Sequence, residues 1–484
     1  MPLLTISRCH GILDQLRPDE WREVKYRTAD KTFQCDLLGK LPLEIVALIA
    51  EHMDLADVVL LQRVSRRWQR VLSSPPVLGV AVRAVSGKEV PVSGFTSAIK
   101  KRLRMERGQP TAKVSLPSPL SAVHDTLMNL RGVGYSDGIY AWLEGSDGRT
   151  SITLLHLWSG RLTRLTTENR EQLAELRISK QLVAAVSTRG YCHAWDLNTQ
   201  EHQSFRLSSL KFQHFIVHGL KIALSYRDYI VQWGFDTQIA RTVQVGDCIF
   251  VLALHPVEDQ FTVVRFCRQY SHDAPDSDDD FPGNLPPVHR LHTEKYALVG
   301  SNRFRSIFSQ DQLFPLVELD GWSDQILALA QDLSDGQSSV IVRRRRTRSE
   351  ESEWGTWSHA MLYLALEGDQ VTVHSLPFLP NISTLAHLEQ GLIYAPTQST
   401  HELMILGIEK TSTSFIPIPT DSPASPSTPS QTSFYRHMVL REVPFMDCHL
   451  IFGDSDFVIM VNLDEVEIWC FDENWEPSCI QPVF

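Results

Sequence analysis

The side chains able to do bond chemistry are Cys, His, Ser and the carboxylates, and their spacing in this chain does not assemble a reaction centre. Eight cysteines and eighteen histidines are scattered over 484 residues. No Cys-x-x-Cys pair and no Cys/His finger spacing occurs, so no metal is expected. Cys448-His449 is an adjacent pair, and neighbours on a strand point to opposite faces, which makes a poor nucleophile–base couple. Ser136-Asp137-Gly138, with Trp142 after it, reads as a hairpin turn. There is no Gly-rich phosphate loop and no Gly-x-Ser-x-Gly elbow. The sequence predicts a non-catalytic chain with no cofactor and no metal, whose chemistry is binding.

The strongest binding signal is Leu38 to Leu78, LGKLPLEIVALIAEHMDLADVVLLQRVSRRWQRVLSSPPVL. Leu41-Pro42 opens a helix, since proline loses nothing at a position whose N–H would be unpaired anyway. Ile45, Leu48, Ile49 and Met53 recur at helical spacing as one apolar face. Asp54 and Asp57 punctuate the pattern, Val58, Leu61, Val64, Trp68, Val71 and Leu72 continue it, and Pro75-Pro76 is expected to stop it. So short a stretch cannot bury a good core alone. It also carries more apolar side chains than three short helices can hide, and such a surplus predicts a docking surface.

The segment resembles an F-box, the three-helix module that tethers substrate receptors to the Skp adaptor of cullin–RING ubiquitin ligases. The resemblance is carried by Leu41-Pro42-x-Glu44-Ile45, by Met53-Asp54-Leu55-Ala56-Asp57-Val58 and by Val64-Ser65-Arg66-Arg67-Trp68, in that order. Ser65 stands where Cys is common, and Leu78 where an aromatic residue often closes the motif. The resemblance implies an adaptor-binding set of Leu41, Pro42, Ile45, Val58, Leu61, Val64 and Trp68.

From about residue 121 the apolar runs become short, β-branched and aromatic, with turn residues between them, which is strand chemistry. Leu182 to Ser187, Thr188-Arg189-Gly190, then Tyr191 to Asp196 is repeated 38 residues on, at Leu220 to Trp233, and both copies obey Ser-x-Arg-x-Tyr-x-x-x-Trp. Asn198-Thr199-Gln200 and Asp236-Thr237-Gln238 follow at the same offset. Ile152 to Leu157 followed by Trp158-Ser159-Gly160 fits the unit upstream, and Phe457 to Asp472, with Trp469, fits it near the C-terminus. Met361 to Leu376 reads as another hairpin of this kind. Strand-rich units about 40 residues apart with Trp or Trp-Asp closing the third strand resemble WD-type propeller blades. Only Trp195-Asp196 keeps the full pair, so the resemblance is to a degenerate propeller. Its length implies seven blades, six and eight being the alternatives, and a set of β-sandwiches is the other architecture this pattern allows.

The expected fold class is therefore α plus all-β: an N-terminal extension over 1–36 with a short helix, an F-box over 37–78, a linker with a connector helix over 79–120, and a propeller over 121–484. The basic run Lys100 to Arg107 is expected on that helix, as a solvated face or as a site for an acidic partner. Insertions are expected at 271–289, 343–353 and 420–433, each too poor in apolar residues to order itself. The second holds Arg343 to Arg348, which could serve nuclear import or bind a phosphoanion. The third holds Ser422, Ser425 and Thr428, each before a proline, and phosphorylation there or at Ser349 would add negative charge.

Composition narrows the partners. The net charge of −11 is spread rather than blocked, so neither nucleic acid nor a membrane is an expected partner. The first residues lack the basic head and apolar run of a secretory signal, and no apolar run is long enough to span a bilayer. Scattered thiols predict a reducing compartment, cytoplasm or nucleus. The resemblance implies a substrate-recognition subunit of a Skp–cullin–F-box ligase, with a Skp-type adaptor and, through it, a cullin as partners, and an unknown protein substrate. The alternative is an interaction scaffold outside ubiquitination. A propeller hydrolase is disfavoured, as no acidic residues converge.

Overall fold

The computed structural model describes Arg22, Tyr26 and residues 37–119, 131–269, 288–313, 322–323, 337–346, 357–376, 387–407, 438–439 and 450–480, less a few residues within these spans. Two compact units divide the chain, Met1–Thr96 and Ser97–Phe484.

The first unit is helical: α1 (Leu37–Lys40), α2 (Leu43–Glu51), α3 (Leu55–Leu61), α4 (Arg66–Leu72) and α5 (Pro75–Ser86). Val46, Ala47 and Ala50 line one side of α2 and are buried, and α2 packs mainly against α5, where Val77, Leu78, Ala81 and Val82 are buried. Helix α4 ends at Leu72, ahead of Pro75-Pro76 as expected, and the same pair also begins α5, because proline at the first helical positions sacrifices no hydrogen bond. Ser65 caps α4, its Oγ accepting the Trp68 N–H at 3.1 Å. Gly79 lets the ring of Phe95 approach, since a Cβ there would lie 3.1 Å from Phe95 Cζ. Of the 1–36 extension only Arg22 and Tyr26 are described, both helical, and its expected packing lies outside the described residues.

Among the described residues the second unit holds seven antiparallel four-stranded sheets. Sheet 1 holds β2 (Val133–Ser136), β3 (Ile139–Glu144), β4 (Ser151–His156) and β5 (Arg161–Thr166). Sheet 2 holds β6 (Leu173–Ile178), β7 (Leu182–Ser187), β8 (Tyr191–Asp196) and β9 (His202–Arg206), and sheet 3 holds β10 (His214–His218), β11 (Lys221–Ser225), β12 (Tyr229–Gly234) and β13 (Ala240–Gln244). Sheet 4 is β14 (Ile249–Leu254) to β17 (Arg303–Leu313). Sheet 5 is β18 (Trp322–Ser323), β19 (Gln337–Arg346), β20 (Trp357–Glu367) and β21 (Gln370–Leu376). Sheet 6 is β22 (His387–Glu389) to β25 (Met438–Val439). Sheet 7 combines β26 (Leu450–Gly453), β27 (Phe457–Val461) and β28 (Glu465–Cys470) with β1 (Ala112–Pro117) from the other end of the chain.

The first strands touch in succession: β2 against β6, β6 against β10, β10 against β14, and β22 against β26, which returns to β2. Four-stranded antiparallel sheets in sequence order with first strands packed side by side, sheet 7 returning to sheet 1 and taking β1 as its fourth strand, are the blades of a β-propeller. The core lies between blades. One apolar cluster joins sheets 1 and 2, another sheets 2 and 3, another sheets 3 and 4, another sheets 6 and 7, and one joins sheet 7 back to sheet 1. This is why the second strands read as unbroken apolar runs. All six residues of β7 are buried, as a strand covered on both faces requires.

The repeat holds at the level of hydrogen bonds. The residue after the third strand bonds back to the first-to-second-strand turn in each copy: Leu157 N–H to Gly138 C=O, Leu197 N–H to Gln181 C=O, Phe235 N–H to Leu220 C=O and Phe471 N–H to Asp456 C=O, all 2.8–2.9 Å. Trp195, Trp233 and Trp469 are thus equivalent positions, and Leu155 holds that position in sheet 1. Trp158, expected to close the third strand, sits in the β4–β5 turn instead, equivalent to Asn198 and Asp236. Gly160, Gln200 and Gln238 share a left-handed backbone at φ 64, 60 and 57.

Three further expectations change. Met361 to Leu376 forms β20 and β21, the third and fourth strands of sheet 5, not the second and third. Arg343 to Arg346, expected in an insertion, belong to β19, with Arg343 opposite His359 and Arg345 opposite Trp357. The expected connector 79–120 holds the end of α5, then α6 (Phe95–Glu106), then β1, which is part of sheet 7. Val288 and His289 lie in a strand; residues 271–287 and 420–433, and Cys448-His449, lie outside the described residues.

Two contacts reinforce the closure between sheets 7 and 1. Past β28, the Trp475 indole N–H donates to the Leu157 carbonyl at 2.8 Å, and Ile480 is buried in the same cluster. Gly160 is required there, because a Cβ would lie 1.8 Å from the Cys479 carbonyl oxygen. The second contact is polar. Asp454, in the β26–β27 turn, accepts N–H groups from Gly138 at 3.0 Å, Asp456 at 2.7 Å and Phe457 at 2.8 Å, and the Tyr135 hydroxyl.

Candidate functional site

Helix α2 has two apolar sides and its own unit covers only one. Val46 and Ala50 face inward, and Leu41, Ile45 and Leu48, spaced four and three residues apart, lie along the other side. Ile45 is 41% exposed and Leu48 54%. Leu60 in α3 and Val64 in the α3–α4 turn add to the uncovered surface, Val64 at 61%. Among the described residues, fifteen large hydrophobic side chains are exposed, and six of them, Leu41, Leu43, Ile45, Leu48, Leu60 and Val64, fall between residues 41 and 64. That concentration separates this segment from the ordinary scatter of single exposed hydrophobics on a folded surface.

Of the residues the sequence singled out, Leu41, Pro42, Ile45 and Val64 are exposed, Leu61 and Trp68 are half-buried, and Val58 is fully buried. Val58 therefore serves the unit's own core, where its side chain is worth about 2 kcal/mol of burial. Leu43, Leu48 and Leu60 were not singled out. Leu48 was legible, since it continues the Leu41–Ile45 stripe by three residues. Leu60 was not, because only the packing of α3 shows which of its side chains stay uncovered. Arg63, Arg66 and Arg70 are exposed on the turn and on α4, so cations flank Val64 on both sides in the sequence.

The basic run of α6 belongs to the second unit from Ser97 onward, and three of its cations are paired there. Lys101 pairs with Asp456, Arg104 Nη2 lies 2.7 Å from Glu473 Oε1, and Arg102 pairs with Glu106 one turn on at 2.7 Å. Met105 is buried among Tyr394, Met460 and Trp469. Lys101 and Arg104 dock the helix on the last blade.

Residues 38–78 match the F-box domain family. Among solved structures, the chain is similar to one from an S. cerevisiae assembly of a Dbp5 variant bound to Nup159, a Gle1 variant, IP6 and ADP, at 9% identity and TM-score 0.38, covering 74% of this chain and 94% of that one. It is similar to the N-terminal domain of Nup159 at 11% identity and TM-score 0.38, covering 74% and 94%, and to a chain of a mitotic checkpoint complex at 8% identity and TM-score 0.38, covering 75% and 94%. No curated protein sequence matches. The first unit thus carries an F-box domain and the second is a seven-sheet propeller whose assignment rests on its topology.

Proposed function

We propose that this chain is a non-catalytic substrate-recognition subunit of a Skp–cullin–F-box ubiquitin ligase, acting in the cytoplasm or nucleus. The F-box domain docks a Skp-type adaptor, and through it a cullin, while the propeller holds the protein to be modified. The observation that carries this reading is the uncovered apolar side of α2, with Leu60 and Val64 beside it, on a domain whose family is known as an adaptor-docking module. The chain supplies no reactive group. Its contribution is proximity, because holding a substrate near the ubiquitin donor converts a bimolecular encounter into an intramolecular one.

The test is adaptor binding by the double variant Leu41→Ala, Pro42→Ala. Both side chains are exposed, so the fold is retained. Interface anchors of this kind cost about 2 kcal/mol or more each when truncated, so the pair should weaken affinity about a thousandfold. Undiminished adaptor binding by the folded variant would sink the reading. An adaptor-bound chain that never recovers a cullin would instead favour a scaffold outside ubiquitination.

A further inference from the structure

Between β9 and β10 the chain passes from sheet 2 to sheet 3 through residues 207–213, a loop pinned at both ends. The Leu207 N–H donates to the Gly190 carbonyl in the β7–β8 turn, and the Gln213 N–H to the Ser225 carbonyl at the end of β11, both at 2.8 Å. The middle of the loop lies against the β11–β12 turn. The Tyr226 hydroxyl donates to the Ser209 carbonyl at 3.2 Å, and the Tyr229 hydroxyl lies 3.1 Å from Ser208 Oγ. The two tyrosine rings stack with centroids 4.6 Å apart, so both phenols reach the same loop.

Two serines sit in this loop, and their hydroxyls are placed differently. Ser209 Oγ is turned back on the loop itself, where it accepts the Lys211 N–H at 3.0 Å. Ser208 is exposed, and its Oγ meets the Tyr229 hydroxyl. Each segment around Ser208 brings a cation: Arg206 at the end of β9, Lys211 within the loop, and Arg227 between the two tyrosines, all three exposed. Among the described residues none of the three has a carboxylate within ion-pair distance. Asp228 shares the turn with Arg227, and its carboxylate accepts from Gln244 Nε2 at 2.8 Å. At the opposite end of these sheets the lysines are neutralised within the protein, Lys180 by Asp137 at 3.2 Å and Lys221 by Asp259 at 3.0 Å. Three cations and a phenol hydroxyl thus surround one exposed serine hydroxyl, with no carboxylate paired to the cations. A dianionic group carried on that hydroxyl would complete the arrangement.

We propose that Ser208 is a phosphorylation site whose phosphoryl group is held by the chain's own Tyr229 hydroxyl and Arg206 and Arg227 guanidiniums, with Lys211 beside them. A protein kinase selective for basic segments supplies the group from ATP. Ser208 Oγ gives its proton to the kinase's base, the bond from Oγ to the γ-phosphorus forms, and the bond to the ADP leaving group breaks. The product carries about −1.5 to −2 charge near neutral pH and three acceptor oxygens. Guanidinium forks match phosphate oxygens with paired donors, and hydrogen bonds between ions are roughly twice as strong as neutral ones. The modification therefore fastens the loop to the β11–β12 turn, over the apolar cluster that sheets 2 and 3 share. The inference rests on the propeller alone and not on adaptor docking.

The test uses the full chain in two arms. In the first, the folded protein is incubated with the catalytic subunit of a kinase selective for basic segments, ATP and magnesium, and residues 207–211 are read by mass spectrometry. Phosphate is expected on Ser208 ahead of Ser209, and a synthetic peptide of residues 203–215, which lacks the fold, should lose that preference. In the second arm Ser208 is installed in phosphorylated form during translation. Phosphorus NMR across pH should place its second pKa about half a unit to one unit below the ordinary value of about 6. The melting temperature should rise by about 2 °C over the unmodified chain. Arg206→Ala with Arg227→Ala should return the pKa to about 6 and remove the rise, while Lys180→Ala at the opposite end should change neither. Melting of each unmodified variant checks that it is folded. Label on Ser209 instead of Ser208 or no label in the folded loop, a phosphoryl group that titrates at its ordinary value, a shift indifferent to the two arginines, or a lowered melting temperature would each overturn the inference.

Discussion

Asp454 is the residue on which several turns depend. Burial pushes its carboxyl above the usual carboxylate range, and burial with the Asp454 charge pushes the Tyr135 phenol well above its own. Together they tie the first-strand turn of sheet 7 to that of sheet 1. Tyr135→Phe removes one donor and leaves the backbone donors in place, so a loss of about 1–2 kcal/mol is expected in chemical denaturation. At the Ser65 cap, Ser65→Ala should cost about 1 kcal/mol. His218 gives a pH dependence. Burial, then the nearby His255 and Lys221 charges, push its pKa from 6.5 down to about 4. The folded protein keeps it neutral while the unfolded chain takes up a proton, so its contribution is fully present above pH 6.5 and is lost as pH falls toward about 4. Denaturation midpoints measured across that window should fall with pH, and His218→Gln should flatten the slope. A slope unchanged in the variant would place the acid sensitivity elsewhere.

At the scale of elements, β1 and the Trp475 segment hold the ring shut. Ala112 to Pro117 pairs with Cys470 to Glu465, a closure over about 350 residues of chain. Deleting residues 112–117 leaves β28 with an open edge, and exposed edges template association. The expected result is a lower melting temperature and self-association on size exclusion; a monomer that melts like the intact chain would show that closure does not depend on β1. The elements themselves were legible where spacing is local. The 38-residue repeat located β7, β8, β11 and β12, and the polar turns after Trp195 and Trp233. Trp158 misled, because an aromatic residue two positions past a strand end looks the same in sequence as one inside the strand. Pro75-Pro76 marked the end of α4 correctly but not the start of α5: proline both stops one helix and starts the next, and the packing of α5 on α2 shows that it does both here.

At the scale of the molecule, a division of labour is expected between the units. Removing residues 37–78 should abolish recovery of adaptor and cullin in a pull-down and leave propeller partners in place. If the propeller's partners vanish together with the cullin, recognition needs the F-box segment and the receptor reading fails. The candidate surface was partly legible at this scale. The apolar surplus in 38–78 announced that some side chains must stay uncovered, but Val58 carries the same apolar signal as Val64 and is buried while Val64 is not. Periodicity reports which residues are apolar and share a side, and the neighbouring helices decide which side is covered.

What this sequence determined by itself was local: the F-box motif and its helical spacing, and the strand-turn-strand repeat with its tryptophans. Each depends on residues within a few turns or one hairpin of each other. What only the tertiary structure decided was which distant residues meet. β1 as the fourth strand of the last sheet, the acids that pair with Lys101 and Arg104 of α6, and Gly160 beneath the C-terminal segment all join residues far apart in the chain. Pairing across such distances is fixed by closing the ring and covering the blade faces, and that energy belongs to no single stretch of sequence.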